Sequence, residues 1–155
     1  MLARNILLAI LVSPELLVAL AVWALLLHFP GAFSEIGTKL VSDSENWKYV
    51  TVVPTGLFVW SVTLFGDIRN PVDKEANRLL YAWPHYGLLV GRLYVALALS
   101  GVAAAVAVAL WLLGKGLGHA AIGALFVGAL GVSLVVAATL TFARSRIREL
   151  LVQHS

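Results

Sequence analysis

Residues 66–92, GDIRNPVDKEANRLLYAWPHYGLLVGR, decide the fold, because only here do charges, aromatic rings and a clear helix start occur together. Asn70 can cap free backbone N–H groups, Pro71 brings its fixed φ to a first helical position, and Asp73 and Glu75 suit the positive end of a helix. A helix is therefore predicted to begin at Pro71. Val72, Ala76, Leu79, Leu80 and Trp83 recur at helical spacing, while Asp73, Lys74, Asn77 and Arg78 fall mainly on other faces. The apolar stripe closes on Tyr81, Trp83 and Tyr86, rings that favour the headgroup layer. The segment 71–83 thus reads as an interfacial helix rather than a span, with Leu79 and Leu80 dipping below the headgroups.

Outward from this stretch lie two long apolar blocks on each side. With 61% hydrophobic and 12% charged residues over 155 positions, and a mean hydropathy of +0.93, the chain is too apolar for a soluble globule and reads as one integral membrane domain. It has no cysteine, which excludes disulfides, thiolate metal sites and thiol nucleophiles. The net charge of +3, set beside apolar spans, points to anionic lipid headgroups and not to nucleic acid.

The expected fold class is all-α, with four transmembrane helices in two antiparallel hairpins and a cytoplasmic interfacial helix between them. The spans are predicted at about 14–29, 49–65, 88–113 and 120–142. At the first, Ser13-Pro14-Glu15 is read in two ways. In one, Ser13 caps a new helix with Pro14 in its first turn; in the other, a single helix from Ile6 is kinked at Pro14. The first reading is preferred, with residues 1–12 as a surface segment and Glu15 near the cytoplasmic interface. The connection to Lys48 holds Phe33, Ile36, Leu40 and Val41 at helical spacing, a short surface helix. The second span is predicted to stop at Gly66-Asp67 and to kink at Pro54, with Thr51 or Thr55 serving the carbonyl of Val50 that the proline leaves without a donor.

Small residues mark the packing of the second hairpin. Ala96, Ser100, Ala103 and Ala107 repeat at four, three, four, and Ala124, Gly128 and Gly131 answer from the fourth span across the tight turn 114–118. Phe126 is expected on the far side of that helix. A continuation beyond residue 142 carries Arg144, Arg146 and Arg148 as a juxtamembrane basic cluster. Counting Lys and Arg, Arg4, Arg69, Lys74, Arg78, Arg92, Arg144, Arg146 and Arg148 make eight on one side, against Lys39, Lys48 and Lys115 on the other. The positive side faces the cytoplasm, so both termini are expected there, in a bacterial inner membrane.

Few residues could carry chemistry. Arg92 lies one turn into the third span; snorkelling to the headgroups is the favoured reading, and an intramembrane ion pair with Glu15 is the sharper one. His28 closes the first span and His119 opens the fourth, near the outer surface, and are weak candidates for a metal; further ligands are missing, so no metal, cofactor or catalytic residue is assigned. No phosphate-binding, zinc-protease or nucleophile-elbow motif occurs. The expected function is a small non-enzymatic membrane scaffold, accessory subunit or immunity- or defence-type component, acting through intramembrane and cytoplasmic-face contacts, as a homo-oligomer or with a membrane protein partner. The alternative is an oligomeric pore, channel or transporter subunit lined by Thr51, Thr55, Ser61 and Thr63, and the third reading is a membrane enzyme acting on a lipophilic substrate.

Overall fold

The computed structural model describes residues 13–69 and 81–154. These are all helical in architecture, with five helices and, among the described residues, no strand: α1 (Pro14–His28), α2 (Pro30–Ser42), α3 (Ser44–Arg69), α4 (Tyr86–Leu113) and α5 (His119–His154). Three helices, α3, α4 and the stretch His119–Leu151 of α5, are long and apolar enough to cross a membrane, and α1 with α2 qualifies as one bent pair, giving three or four. Of the interfacial helix expected over 71–83, residues 71–80, with Leu79 and Leu80, lie outside the described residues. Tyr81 and Ala82 are helical, and the chain turns through Trp83 to His85.

Local chemistry accounts for most helix ends. Ser13 caps α1: its side chain accepts from the amide of Leu16, and Pro14 takes the first turn. The chain then turns sharply at Phe29, and α1 and α2 are bent by 103°. Pro30 opens α2 because its missing N–H costs nothing in a first turn. Asp43 accepts from the amide of Glu45 at the entry to α3. That helix is longer than the 49–65 expected: its polar first and last turns stay helical, Gly66-Asp67 does not end it, and it continues through Pro54. The hydroxyls expected to serve the carbonyl of Val50 do other things. Thr51 Oγ1 donates across to the carbonyl of Ala107 at 3.4 Å, and Thr55 Oγ1 is buried without a partner. A short 3-10 turn, Gly114–Gly116, joins α4 to α5.

The core sits where α3, α4 and α5 meet, each antiparallel to the next. Leu64, Ile68, Leu93, Ala96, Val136 and Leu140 fill the end nearest Arg69 and Arg144. Ala103, Ala107, Ala129 and Val132 fill the middle. Trp47, Val50, Leu110 and Ile122 fill the opposite end, with Phe126 packed against them rather than on an unoccupied side of α5. Burial of small side chains on α4 is the reason these helices come close.

Two further helices lie on this core. α2 crosses the start of α5, and there the backbones touch: a Cβ at Gly37 would run into the His119 carbonyl, and one at Gly123 into the Phe33 carbonyl. Only glycine permits that approach. α1 runs antiparallel along the middle of α5. A Cβ at Gly131 would come within 2.9 Å of Val18 Cγ1, and one at Gly128 within 3.8 Å of Val22 Cγ1. The glycine seam of α5 therefore receives α1. The small seam of α4, buried as expected from its spacing, meets α5 instead through Ala129 and Val132.

Candidate functional site

The polar centre of the molecule is built on the first turn of α1. Pro14 and the Ser13 cap turn Glu15 into the bundle, where its residue is 1% exposed. Val18 lies beside Gly131, so Glu15 sits about eight residues above Phe142 on the α5 scale, or about 12 Å at 1.5 Å per residue. Along α5 it therefore lies well inside the helical layer, because α1 begins part-way up that helix.

Arg92, in the second turn of α4, reaches toward Glu15 rather than toward the nearer end of its helix. Arg92 Nη2 donates to Glu15 Oε2 at 2.7 Å, and Ser13 Oγ donates to the same oxygen at 2.7 Å. The guanidinium side chain keeps 32% exposure while the carboxylate side has none. A buried carboxylate is tolerable only with such partners, since removing one partner of a buried pair typically costs about 3–5 kcal/mol. Oxygen Oε1 of Glu15 is buried without a hydrogen bond.

Beside this pair runs an apolar groove of about 420 Å³. α1 rests on α5 and stands off α4, and the groove is the space left between α1 and α4. Ala103, Ala124 and Gly128 line it where α4 and α5 come close, Trp23 and Leu99 stand on its sides, and among the described residues Glu15 is its one ionisable lining residue. The small residues that the sequence marks for helix contact thus also leave room for something else.

The remaining candidates are separate from this site. His28 Nδ1 lies 2.8 Å from the carbonyl of Ala24 in its own helix, and His119 Nδ1 lies 3.2 Å from Thr38 Oγ1. Among the described residues no group of three His, Cys, Asp or Glu side chains could hold a metal ion. Arg144 pairs with Asp67 at 2.8 Å, joining the last turn of α3 to α5, and Arg146 with Glu149 at 3.2 Å along α5, its guanidinium 5.5 Å from the Phe142 ring centroid. Arg148 is exposed on the same helix. Tyr81 and Tyr86 stack edge to face at 5.3 Å, and Trp83 remains half-exposed beside His85.

Sequence reasoning missed three features. Ser13 serves both as cap and as a donor to Glu15, which the run Ser-Pro-Glu could have suggested. Gly37 and Gly123 had no partner in view, because they are far apart in the chain. Third, Ser61, Ser100 and Ser133 are all fully buried. The contacts of Phe58 with Gly101, and of Ala103 with Ala129, set these serines within about a turn of one depth. Ser61 Oγ donates to the carbonyl of Leu57 at 2.8 Å, whereas Ser100 Oγ and Ser133 Oγ have no partner. Comparison with protein-family models, curated proteins and solved structures finds no match to this chain.

Proposed function

We propose that the chain is a four-span membrane protein, acting without catalysis as a scaffold or accessory subunit through contacts inside the bilayer and at its cytoplasmic face. In this reading α1 is a short first span of 15 residues, about 22 Å at 1.5 Å per residue, and α2 lies across the outer ends of the bundle. α4 with α5 is then a closed hairpin, while α1 and α3 run antiparallel with α1 packed on α5 rather than on α3. Arg69, Arg92, Arg144, Arg146 and Arg148 share one end, which the charge rule assigns to the cytoplasm, with both termini and anionic lipid headgroups; the inner membrane of a bacterium suits that arrangement. An immunity- or defence-type role is the kind of contact function such a molecule could serve.

The observation that carries the reading is where the polar side chains go. Ser13 and Arg92 both donate to Glu15, Asp67 binds Arg144, and Ser61, Ser100 and Ser133 are buried in the core. The outward faces present Leu17, Leu20, Val59, Trp60 and Leu112. Polarity is used to hold the helices, and apolar surface is offered to the surroundings, the pattern of a protein that works by packing. A pore gains no support from the hydroxyls of α3: Thr51 and Ser61 bond to helix carbonyls on the packed side, Thr55 Oγ1 is buried without a partner, and Thr63 bonds to its own helix on an exposed side.

Affinity purification in mild detergent after cross-linking in intact cells tests this. The expected result is a stoichiometric membrane partner or a discrete homo-oligomer. Unitary conductance from the purified protein in planar bilayers, with no partner recovered, would replace the scaffold with a pore. The orientation is read by single cysteines at Ser42 and Gln153 of this cysteine-free chain: external labelling is expected at 42 and not at 153, and the reverse would invert it.

A further inference from the structure

We propose that α1 is a hinged arm, pivoting at Phe29 and latched at its far end by Glu15 on Arg92, which opens as one unit while α2 to α5 stay packed. The proposal deepens the scaffold reading and rests on it for its use: opening bares the glycine seam of α5, a surface suited to close approach by a partner helix.

Hinge, anchor and latch are separate features of the fold. The hinge is Phe29, whose φ of −132° and ψ of 54° break the helix. Its N–H bonds back to the Leu25 carbonyl at 2.7 Å, and its carbonyl accepts from the amide of Ala32 at 3.2 Å. Rotation about φ of Phe29 keeps both bonds while turning α1 against α2, and Pro30, having no N–H, interrupts the helical ladder at the joint. The anchor lies just beyond. Gly37 and Gly123 hold the backbones of α2 and α5 together, so α2 stays with the bundle when the joint turns.

The latch is at the other end of α1. Glu15 stands about 21 Å from Phe29 at 1.5 Å per residue, and Arg92 on α4 donates to its Oε2 at 2.7 Å. Between hinge and latch, α1 meets α5 through Val18 on Gly131 and Val22 on Gly128, and it stands off α4. Such apolar contact exchanges readily for lipid tails, which are as apolar as the helices. The charge pair is therefore what favours the docked arm. It is also incompletely satisfied: Glu15 Oε1 is buried with no donor, which raises the free energy of the docked state. Arg92 keeps 32% side-chain exposure in the second turn of its helix, so on release it turns to the headgroups and leaves no charge in the bundle. Opening requires an uncharged Glu15, because a bare carboxylate is too costly in hydrocarbon. Among the described residues Arg92 is the charged group that faces it, and α5 carries no titratable residue between His119 and Arg144.

The test uses the full chain in phosphatidylcholine vesicles, with nitroxides on cysteines replacing Leu17 of α1 and Val59 of α3, both exposed, and distances read by double electron–electron resonance. Leu17 lies about 18 Å from the joint, so a swing of about 20° moves its label by about 6 Å. A control pair at Val59 and Leu134 reports the bundle without α1. With Glu15 in place, the Leu17–Val59 distance is expected to be single. Glu15→Gln keeps the shape and removes the charge, and should raise the ratio of displaced to docked distances roughly tenfold, the equivalent of one hydrogen bond to a charged group, while Val59–Leu134 stays unchanged. An unchanged Leu17–Val59 distance in the folded variant would overturn the proposal. So would a parallel broadening of both pairs, since α1 would then not move as a separate unit. Should Glu15→Gln fail to fold, Ser13→Ala removes one donor to Glu15 and leaves the charge pair; a severalfold rise in the ratio is expected, and no rise would overturn the proposal equally. None of these results bears on recovery of a membrane partner, which tests the scaffold reading by itself.

Discussion

α5 is gripped in two different ways along its length, and the contrast shows what each grip is for. At its start, α2 lies backbone against backbone, Gly37 on His119 and Gly123 on Phe33, with no room for a methyl group. Further along, α1 touches it through Val18 and Val22 on Gly131 and Gly128, stands off α4, and leaves a groove bridged at one end by Glu15 and Arg92. The first contact is close packing, intolerant of added volume but indifferent to charge. The second is loose in volume and depends on a charge pair. Rigid attachment at one end and an electrostatic tether at the other is the arrangement expected of a helix that must leave a cleft beside it.

The largest expected effect is at the tether. Arg92→Met leaves a carboxylate buried with only Ser13 as donor, and should lower stability by about 3–5 kcal/mol, read as a loss of thermal or denaturant resistance in detergent. Next come Gly37→Ala and Gly123→Ala, where a methyl meets a carbonyl; each should cost about 1–3 kcal/mol and loosen α2 from α5, seen as faster amide exchange in residues 30–42. If either is tolerated without loss, the comparison fails at its rigid end.

Gly131→Ala and Gly128→Ala sharpen the same comparison within one seam. The first forces Val18 to move and should cost about 1 kcal/mol, whereas the second meets only ordinary contact and should stay within about 0.5 kcal/mol. The smallest effect is in the serine layer. Ser100→Ala and Ser133→Ala remove hydroxyls that have no partner, and are expected to be neutral or to stabilise by up to about 1 kcal/mol. A marked loss from either would mean that its hydroxyl is hydrogen-bonded in the membrane.

What could be read from the residues alone was whatever is encoded locally. Ser13-Pro14 starts α1, the glycine turn separates α4 from α5, and the period of Ala96, Ser100, Ala103 and Ala107 marks a buried face, because capping, turn geometry and helical spacing act within a few residues. Partner choice was not legible. Gly128 and Gly131 advertise a close neighbour without naming it, so the adjacent helix was expected where α1 in fact lies. The same limit hid the groove, which exists because α1 enters part-way along α5 and is bent from α2 by 103° at Phe29-Pro30. The Glu15–Arg92 pair is only the second reading of Arg92 from the sequence, behind snorkelling to the headgroups, because helical spacing does not show which helix lies beside it. The level of the two residues along the bundle depends on the register of α1 against α5 and not on distance from the chain's charged ends.

The central claim is that a buried charge pair holds α1 to the bundle across an open groove. A double-mutant cycle with Glu15→Leu and Arg92→Met, followed by equilibrium unfolding in detergent, tests it most directly. Each single change should cost about 3–5 kcal/mol, and the double variant should be more stable than the sum by at least about 2 kcal/mol, because no charge is then left buried without its partner. Losses that simply add would contradict the claim, and would mean that Glu15 and Arg92 act on the fold independently.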